Sequence, residues 1–362
     1  MAKFRENLIT NCEKKFIIKN LEDHTRLDGR AFDEFRELSI DFGRDWGCCY
    51  VSLGKTRVLA QVSCEIQRPK SSRLSEGILS INVELNPLGA SHFESGRNSE
   101  LQVVMNRILE KCVKDSRAVD MESLCIKINE KVWAFRVDIN ILNHEGNLLD
   151  CASIALLAAL AHFRRPDVSC DGEETIVHSY AERDAIRTVI HHYPVCITYA
   201  LFKEGTVVLA DPTLLEEGVA DASLILGINS YKEVCTLHLG GKALMDPENI
   251  LKCTSKAAHR ASLLVTEIKT VLKQDDERRV QGQINSFQSF KHAQGTKSLD
   301  TLTKYLDQWS VQKRKRDSKR KNTENGTVQP LGKGSAVLLP VEDDGAKSWK
   351  PSSDENESDS CS

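Results

Sequence analysis

Residues 131–160 hold the pattern that most restricts what this chain can fold into. An alternating apolar run, Val132 to Leu142, ends in the turn Asn143-His144-Glu145-Gly146-Asn147, and an apolar helical run follows from Asp150, with its body over Cys151 to Phe163. The segment reads as a strand, a tight turn and an apolar helix in succession. Strand, tight turn and helix start also form a common anion site, because free N–H groups and the helix dipole point at one place. Here the turn continues Leu148-Leu149-Asp150, which brings no cation and no hydroxyl and sets a carboxylate near the helix start. Such a carboxylate stabilises the helix by roughly 0.3–1 kcal/mol. It would repel a phosphate within about 4 Å by up to about 4 kcal/mol per unit charge at an effective dielectric near 20. Repulsion outweighs the dipole's attraction, and the turn reads as a phosphate scaffold that takes no phosphate.

The flanking sequence supplies layers on both sides of this unit. An amphipathic helix is predicted over 5–22, and strands over Glu37–Phe42, Gly47–Leu53, Thr56–Glu65 and Gly77–Leu85. A helix over Glu100–Asp115 carries Leu101, Val104, Met105, Ile108, Leu109 and Cys112 on one side, and a strand over Ser123–Asn129 follows it. Arg164-Arg165-Pro166 ends the central helix, since proline cannot continue it. Strands then recur at Thr175–His178, Val195–Phe202, Thr206–Ala210, Ala222–Asn229 and Glu233–Leu239, before a helix over Pro247–Lys273. Strands followed by helices, twice over, indicate two related α+β halves. From Gln274 onward the sequence is polar and charged with few aromatics, and it reads as a disordered tail.

Composition narrows the function classes only in part. A formal net charge of -3 argues neither for nor against a nucleic-acid partner, so any basic surface must be local. Twelve cysteines without a Cys-x-x-Cys pair or a zinc spacing read as reduced core thiols of an intracellular protein. The first 21 residues lack the apolar core of a signal peptide, and no run approaches the roughly 20 apolar residues that span a bilayer. A soluble cytoplasmic or nuclear protein without membrane partners is the expectation.

Several local patterns invite a chemical role. Gly54-Lys55-Thr56 lacks the earlier glycine of a P-loop, having Cys49 there, and sits between two strands, so it reads as a hairpin turn. Arg68, Lys70 and Arg73 cluster in a loop, and Arg97 and Arg107 bracket the start of the long helix; guanidinium groups so placed can track a phosphodiester backbone. Asp211, Glu216, Glu217 and Asp221 form an acidic group between strands that has the ligand type of a Mg²⁺ site, although acidic surface turns are common. His144, His162, His191 and His192 are scattered and carry no nucleophile-base signature; His191-His192 reads as packing or a surface turn.

Taken in order, Arg26-Leu-Asp-Gly-Arg30, Gly54-Lys-Thr-Arg-Val-Leu-Ala60, Glu94-Ser-Gly-Arg97 and Leu142-Asn-His-Glu-Gly-Asn147 resemble the RNase PH family, and within it the ring subunits of the eukaryotic RNA exosome. Asn11-Cys-Glu-Lys-Lys-Phe16, Glu122-Ser-Leu-Cys125, Glu130-Lys-Val-Trp133 and His162-Phe-Arg-Arg-Pro-Asp-Val168 narrow the resemblance to one subunit type. It implies an α+β RNase PH-like fold of two βαβα-type halves, each like ribosomal protein S5 domain 2. The implied division is an N-terminal helix or arm over 1–25, domains over 26–167 and 168–273, and a charged disordered tail over 274–362.

Active members of the family degrade RNA from its 3′ end by phosphorolysis, with an anion pocket and a carboxylate-held divalent metal. They carry Gly, then Ser or Thr, then Arg before the helix; this chain has Gly146, Asn147 and Leu148, with Leu149 one place on. Asp221 resembles the later of the two catalytic acids, while the earlier falls on Leu215 unless a small deletion brings Glu216 or Glu217 into line. The resemblance therefore implies a subunit with no catalytic residues, no cofactor and no metal, whose Arg97 and Arg107 fit RNA-binding positions and whose Arg68, Lys70 and Arg73 form a loop facing RNA.

Implied partners are other RNase PH-like subunits in a hetero-hexameric ring, S1/KH cap subunits, a separate catalytic nuclease subunit and single-stranded RNA. Lys313, Arg314, Lys315, Arg316, Lys319, Arg320 and Lys321 form a candidate nuclear-localisation cluster, with nucleus, nucleolus and cytoplasm as the expected compartments. Two rival readings stand beside this one: an active phosphorolytic 3′–5′ exoribonuclease, and an adaptor that recruits factors through its charged tail.

Overall fold

The computed structural model describes residues 9–94, 99–171, 174–180, 182–282, 328–330 and 336–338. Thr10 opens α1 (Asn11–Glu22) with a capping box to Glu13, and the helix lays Ile17 and Leu21 against Ala200, Phe202 and Leu209. Four strands follow: β1 (Leu38–Phe42), β2 (Cys48–Leu53), β3 (Thr56–Gln67) and β4 (Ile78–Leu85). Gly54-Lys55 joins β2 to β3 as a tight hairpin with Leu53 opposite Thr56, as the sequence indicates. Then come α2 (Glu100–Glu110), a π-helical turn (Lys111–Asp115), a 3₁₀ turn (Glu122–Leu124), β5 (Cys125–Lys127) and β6 (Lys131–Asn143). The strands β1-β2-β3-β6-β4 form one sheet with β5 also on β6, and only β4 and β6 run parallel.

Helix α3 (Leu148–His162) lies behind this sheet, and every residue of it except Ala161 is buried. After it come the short strands β7 (Arg164–Arg165), β8 (Val168–Asp171), β9 (Glu174–Val177) and β10 (Ile186–Arg187). The second sheet has the order β12-β11-β13-β14, built from β11 (Val195–Phe202), β12 (Val207–Ala210), β13 (Ala222–Ile228) and β14 (Val234–Gly241). A six-residue helix, α4 (Leu214–Val219), stands between β12 and β13. Because α3 packs on β2, β3 and β11, the two halves share one core, in which Val195, Cys196 and Ile225 join the first sheet's cluster.

Helix α5 (Pro247–Val280) continues past Lys273, where disorder was expected. Its charged last turns are held by distant residues. Trp46 is sandwiched between the guanidinium groups of Arg164 and Arg279, at 4.0 and 4.2 Å from its ring. Arg279 donates to the carbonyls of Gly43 and Arg44 at 2.6 and 2.9 Å, and Asp276 pairs with Arg164 and Arg187. His162 accepts from Gly47 N at 3.0 Å and places Nε2 3.3 Å from Asp275. A segment that is polar by composition is thus ordered by tertiary ion pairs. Within residues 294–362, β15 (Val328–Pro330) and β16 (Ala336–Leu338) pair as an antiparallel hairpin, which departs from a wholly disordered tail.

Candidate functional site

The turn between β6 and α3 is locked from below. Gly146 has φ 90°, and a Cβ there would stand 2.5 Å from the backbone of Thr213 and Leu214, so only glycine lets the turn meet α4. Asn147 follows in the left-handed region at φ 50°. Thr56 Oγ1 donates to Gly146 O at 2.7 Å, and the Arg36 guanidinium donates to Glu145 O and Gly146 O, both at 3.2 Å. The same guanidinium grips the buried Asp211 carboxylate through Nε at 2.9 Å and Nη2 at 2.8 Å. Arg30 and Asn147 Nδ2 add bonds to Asp211 at 3.0 and 2.7 Å. Burial pushes this carboxyl up, but the Arg36 bonds and charge outweigh burial and hold it below the usual range.

The expected carboxylate, Asp150, does stand in the first turn of α3, but its side chain is engaged by β11. The helix begins at Leu148, so Asp150 is its third residue, with the side chain turned to β11. There it accepts from Thr198 N at 3.1 Å, Thr198 Oγ1 at 2.6 Å and Asn147 Nδ2 at 2.8 Å. Burial raises the Asp150 carboxyl to about 7 despite these bonds. A second carboxylate reaches the helix terminus from α4, where Glu217 Oε1 accepts the Asn147 N–H at 2.7 Å. Burial lifts it as well, to about 7, against the pull of Asn147 and Arg36. An N–H that could meet a phosphate is bonded to a carboxylate of the chain itself.

Leu148 and Leu149 are buried and line a cavity of about 450 Å³ together with Leu101, Val104, Glu217 and Asp221. Leu215 does not share it; 44% exposed, Leu215 lies on the outer face of α4. A step of two residues turns a helix by about 200°, so Glu217 lies on the inner face of α4, where it lines the cavity. Asp221 is exposed at the same cavity, and its carboxylate makes no hydrogen bond or ion pair among the described residues.

Most of the acidic group is already engaged, which among the described residues leaves Asp221 and one oxygen of Glu217 free at the cavity. Asp211 is held by arginines, Glu216 is bonded by Arg26 Nε and Nη2 at 3.1 and 2.7 Å, and Glu217 faces Asn147 N. Among the described residues, no group of three or more His, Cys, Asp or Glu side chains is placed to hold a metal ion.

The basic candidates fall in different places. Lys70 and Arg73 face each other across the β3–β4 loop and line an open cleft of about 690 Å³ with Lys114 and Arg117, and Arg73 pairs with Glu76 at 2.9 Å. Arg68 is exposed in the same loop, outside the cleft lining. Arg107, in the last turn of α2, is exposed and stands 3.8 Å from Glu110. Arg97 and the Lys313–Lys321 cluster lie outside the described residues. His192 bonds Ser116 O at 3.0 Å, a packing role.

Sequence reading missed Arg36, Thr198 and α4. Thr213 and Glu216 have capping-box spacing and form one, so α4 did carry a local signal. Arg36 carried none, because its partners are 20 to 175 residues away.

Two family models match the chain: 3′ exoribonuclease family domain 1 over residues 34–166 and domain 2 over 192–260. The exosome complex component RRP45 of Bos taurus is 44% identical over 278 residues, 77% of this chain and 63% of that protein. This chain therefore spans less than two thirds of the cattle relative. The Schizosaccharomyces pombe exosome complex component rrp45 is 40% identical over 275 residues, 76% of this chain and 94% of that protein. A chain of the Archaeoglobus fulgidus exosome with RNA bound to the active site superposes with TM-score 0.63 at 27% identity, covering 71% of this chain and 98% of that one. With two family domains in order, a relative matched over nearly its whole length and the same fold in an exosome structure, this chain belongs to the RNase PH, or 3′ exoribonuclease, family.

Proposed function

We propose that this chain is a non-catalytic structural and RNA-binding subunit of an exosome core ring, supporting 3′–5′ RNA processing and decay carried out by a separate nuclease. The observation that carries the reading is the Glu217 carboxylate on the Asn147 N–H, 2.7 Å away, at the point where a phosphorolytic enzyme needs its attacking phosphate. Leu148 and Leu149 supply no cation to reverse that polarity. Relatives named as exosome components support the ring setting, with other RNase PH-like subunits as neighbours, S1/KH caps above and single-stranded RNA in the channel. The exposed Arg68, Lys70, Arg73 and Arg107, with Arg97, are its proposed backbone contacts, and the Lys313–Lys321 cluster its nuclear import signal, with nucleus, nucleolus and cytoplasm as compartments.

Incubating the purified chain, alone and assembled with ring partners, with RNA, Mg²⁺ and inorganic phosphate tests this. No nucleoside diphosphate from its own site is expected. Release that is abolished by Asp221→Ala would overturn the reading.

A further inference from the structure

The cavity beside the turn has lost the polarity of an anion site and gained the opposite one. Its walls are apolar, with Leu101, Val104 and Leu149 among them, and its acceptors Asn147, Glu217 and Asp221 stand beside Ser223 and His238, whose side chains can donate as well. Glu217 uses Oε1 on Asn147 N, and Oε2 has no partner among the described residues. Asp221 offers a second free carboxylate at the mouth. Asn147, only 1% exposed, also lines the cavity, and its orientation is fixed because Nδ2 donates to the carboxylates of Asp150 and Asp211. Its Oδ1 is then a buried acceptor with no donor, an arrangement that costs free energy until a donor arrives. Arg36, beneath the turn, is engaged by Asp211, Glu145 O and Gly146 O. His144 is neutral, since burial, then His92 and Arg36, lower it to about 4.

We propose that this cavity is a socket for a guanidinium or ammonium group on an aliphatic stem, the chemistry of an arginine or lysine side chain. The stem matches the apolar walls and the cation matches the acceptors. Leu101 and Val104 are 44% and 36% exposed at the mouth, an apolar margin around a polar centre that suits a side chain delivered by a neighbouring subunit. That source rests on the ring reading above; the socket does not.

The full chain is titrated with ethylguanidinium chloride, and separately with inorganic phosphate, while amide shifts around Glu217, Asp221 and Leu149 are followed by NMR. Saturable shifts with ethylguanidinium and none with phosphate are expected. Asp221→Asn should weaken binding about threefold to fivefold, as for a partly exposed ion pair. Glu217→Gln, which keeps the acceptor for Asn147 N, should weaken it more. Phosphate binding at these residues, or equal ethylguanidinium binding by both variants and the wild type, would overturn the proposal.

Two arms identify the source. Loss of the ethylguanidinium response on assembly with ring partners assigns the natural cation to a neighbour, whereas tighter binding in Arg97→Ala assigns it to the chain itself. A chain that fails to assemble but binds ethylguanidinium separates failure of the ring reading from failure of this one.

Discussion

Replacing Glu217 by glutamine isolates the cost of a carboxylate at the start of α3. The substitution keeps an oxygen to accept the 2.7 Å bond from Asn147 N and removes only the charge. In the folded chain burial lifts this carboxyl from 4.5 to about 7, so it keeps its proton to a higher pH than in the unfolded chain. A group raised on folding contributes its full stability below the unfolded value and loses it as pH climbs through the folded value. At about 1.4 kcal/mol per pH unit, the interval from 4.5 to about 7 amounts to roughly 3 kcal/mol lost by the wild type and not by the variant. The Asp150 charge also pushes Glu217 up, so part of the difference depends on Asp150, itself raised to about 7 by burial. Urea unfolding of both chains at about pH 4.5, 6 and 8 should show near-equal stability at the lowest pH and a variant more stable by about 2–3 kcal/mol at the highest. A difference that stays flat with pH, or that favours the wild type as pH rises, would refute the account of Glu217.

Arg36→Met should destabilise by about 3–5 kcal/mol in thermal or urea unfolding, because Asp211 stays buried with its principal cation gone. Gly146→Ala combines a φ of 90° with a Cβ 2.5 Å from α4 backbone, and should cost at least about 1–3 kcal/mol by the same measurement. Leu149→Arg should fail to restore nucleoside diphosphate release in a phosphorolysis assay, since the Asn147 N–H remains bonded to Glu217. Arg279→Ala removes one face of the Trp46 sandwich and two carbonyl contacts; amide exchange over 274–280 should accelerate while α3 amides change little.

What could be read from the sequence was what local pattern encodes. The alternation of β3 and β6, the Gly54-Lys55 hairpin and the all-apolar α3 announced themselves, because period and turn chemistry are properties of neighbours in sequence. That leucines and no arginine follow Gly146-Asn147 was equally plain, and Leu148 and Leu149 are buried. Asp150 in the first turn was legible too, but the second carboxylate there, Glu217, was not, since it depends on α4 arriving from 70 residues away. The last turns of α5 were misjudged for a similar reason: Asp275, Asp276 and Arg279 look solvated by composition, yet Trp46, His162 and Arg164 bind them. Composition reports how much a segment can bury, not whether a distant partner stands ready for its charges.

The burial of α3 between β2 and β3 on one side and β11 on the other bears on how the molecule comes apart. Two repeats of similar design suggest two cooperative units, each able to open while the other holds. A helix whose every face but Ala161 is covered by one half or the other allows no such sequence, because opening either half exposes the same Leu156, Leu157 and Leu160. Partial unfolding is therefore confined to elements that α3 does not touch, such as the β8–β9 hairpin. The slowest amides of Ile154 to Leu160 report the stability of both halves at once.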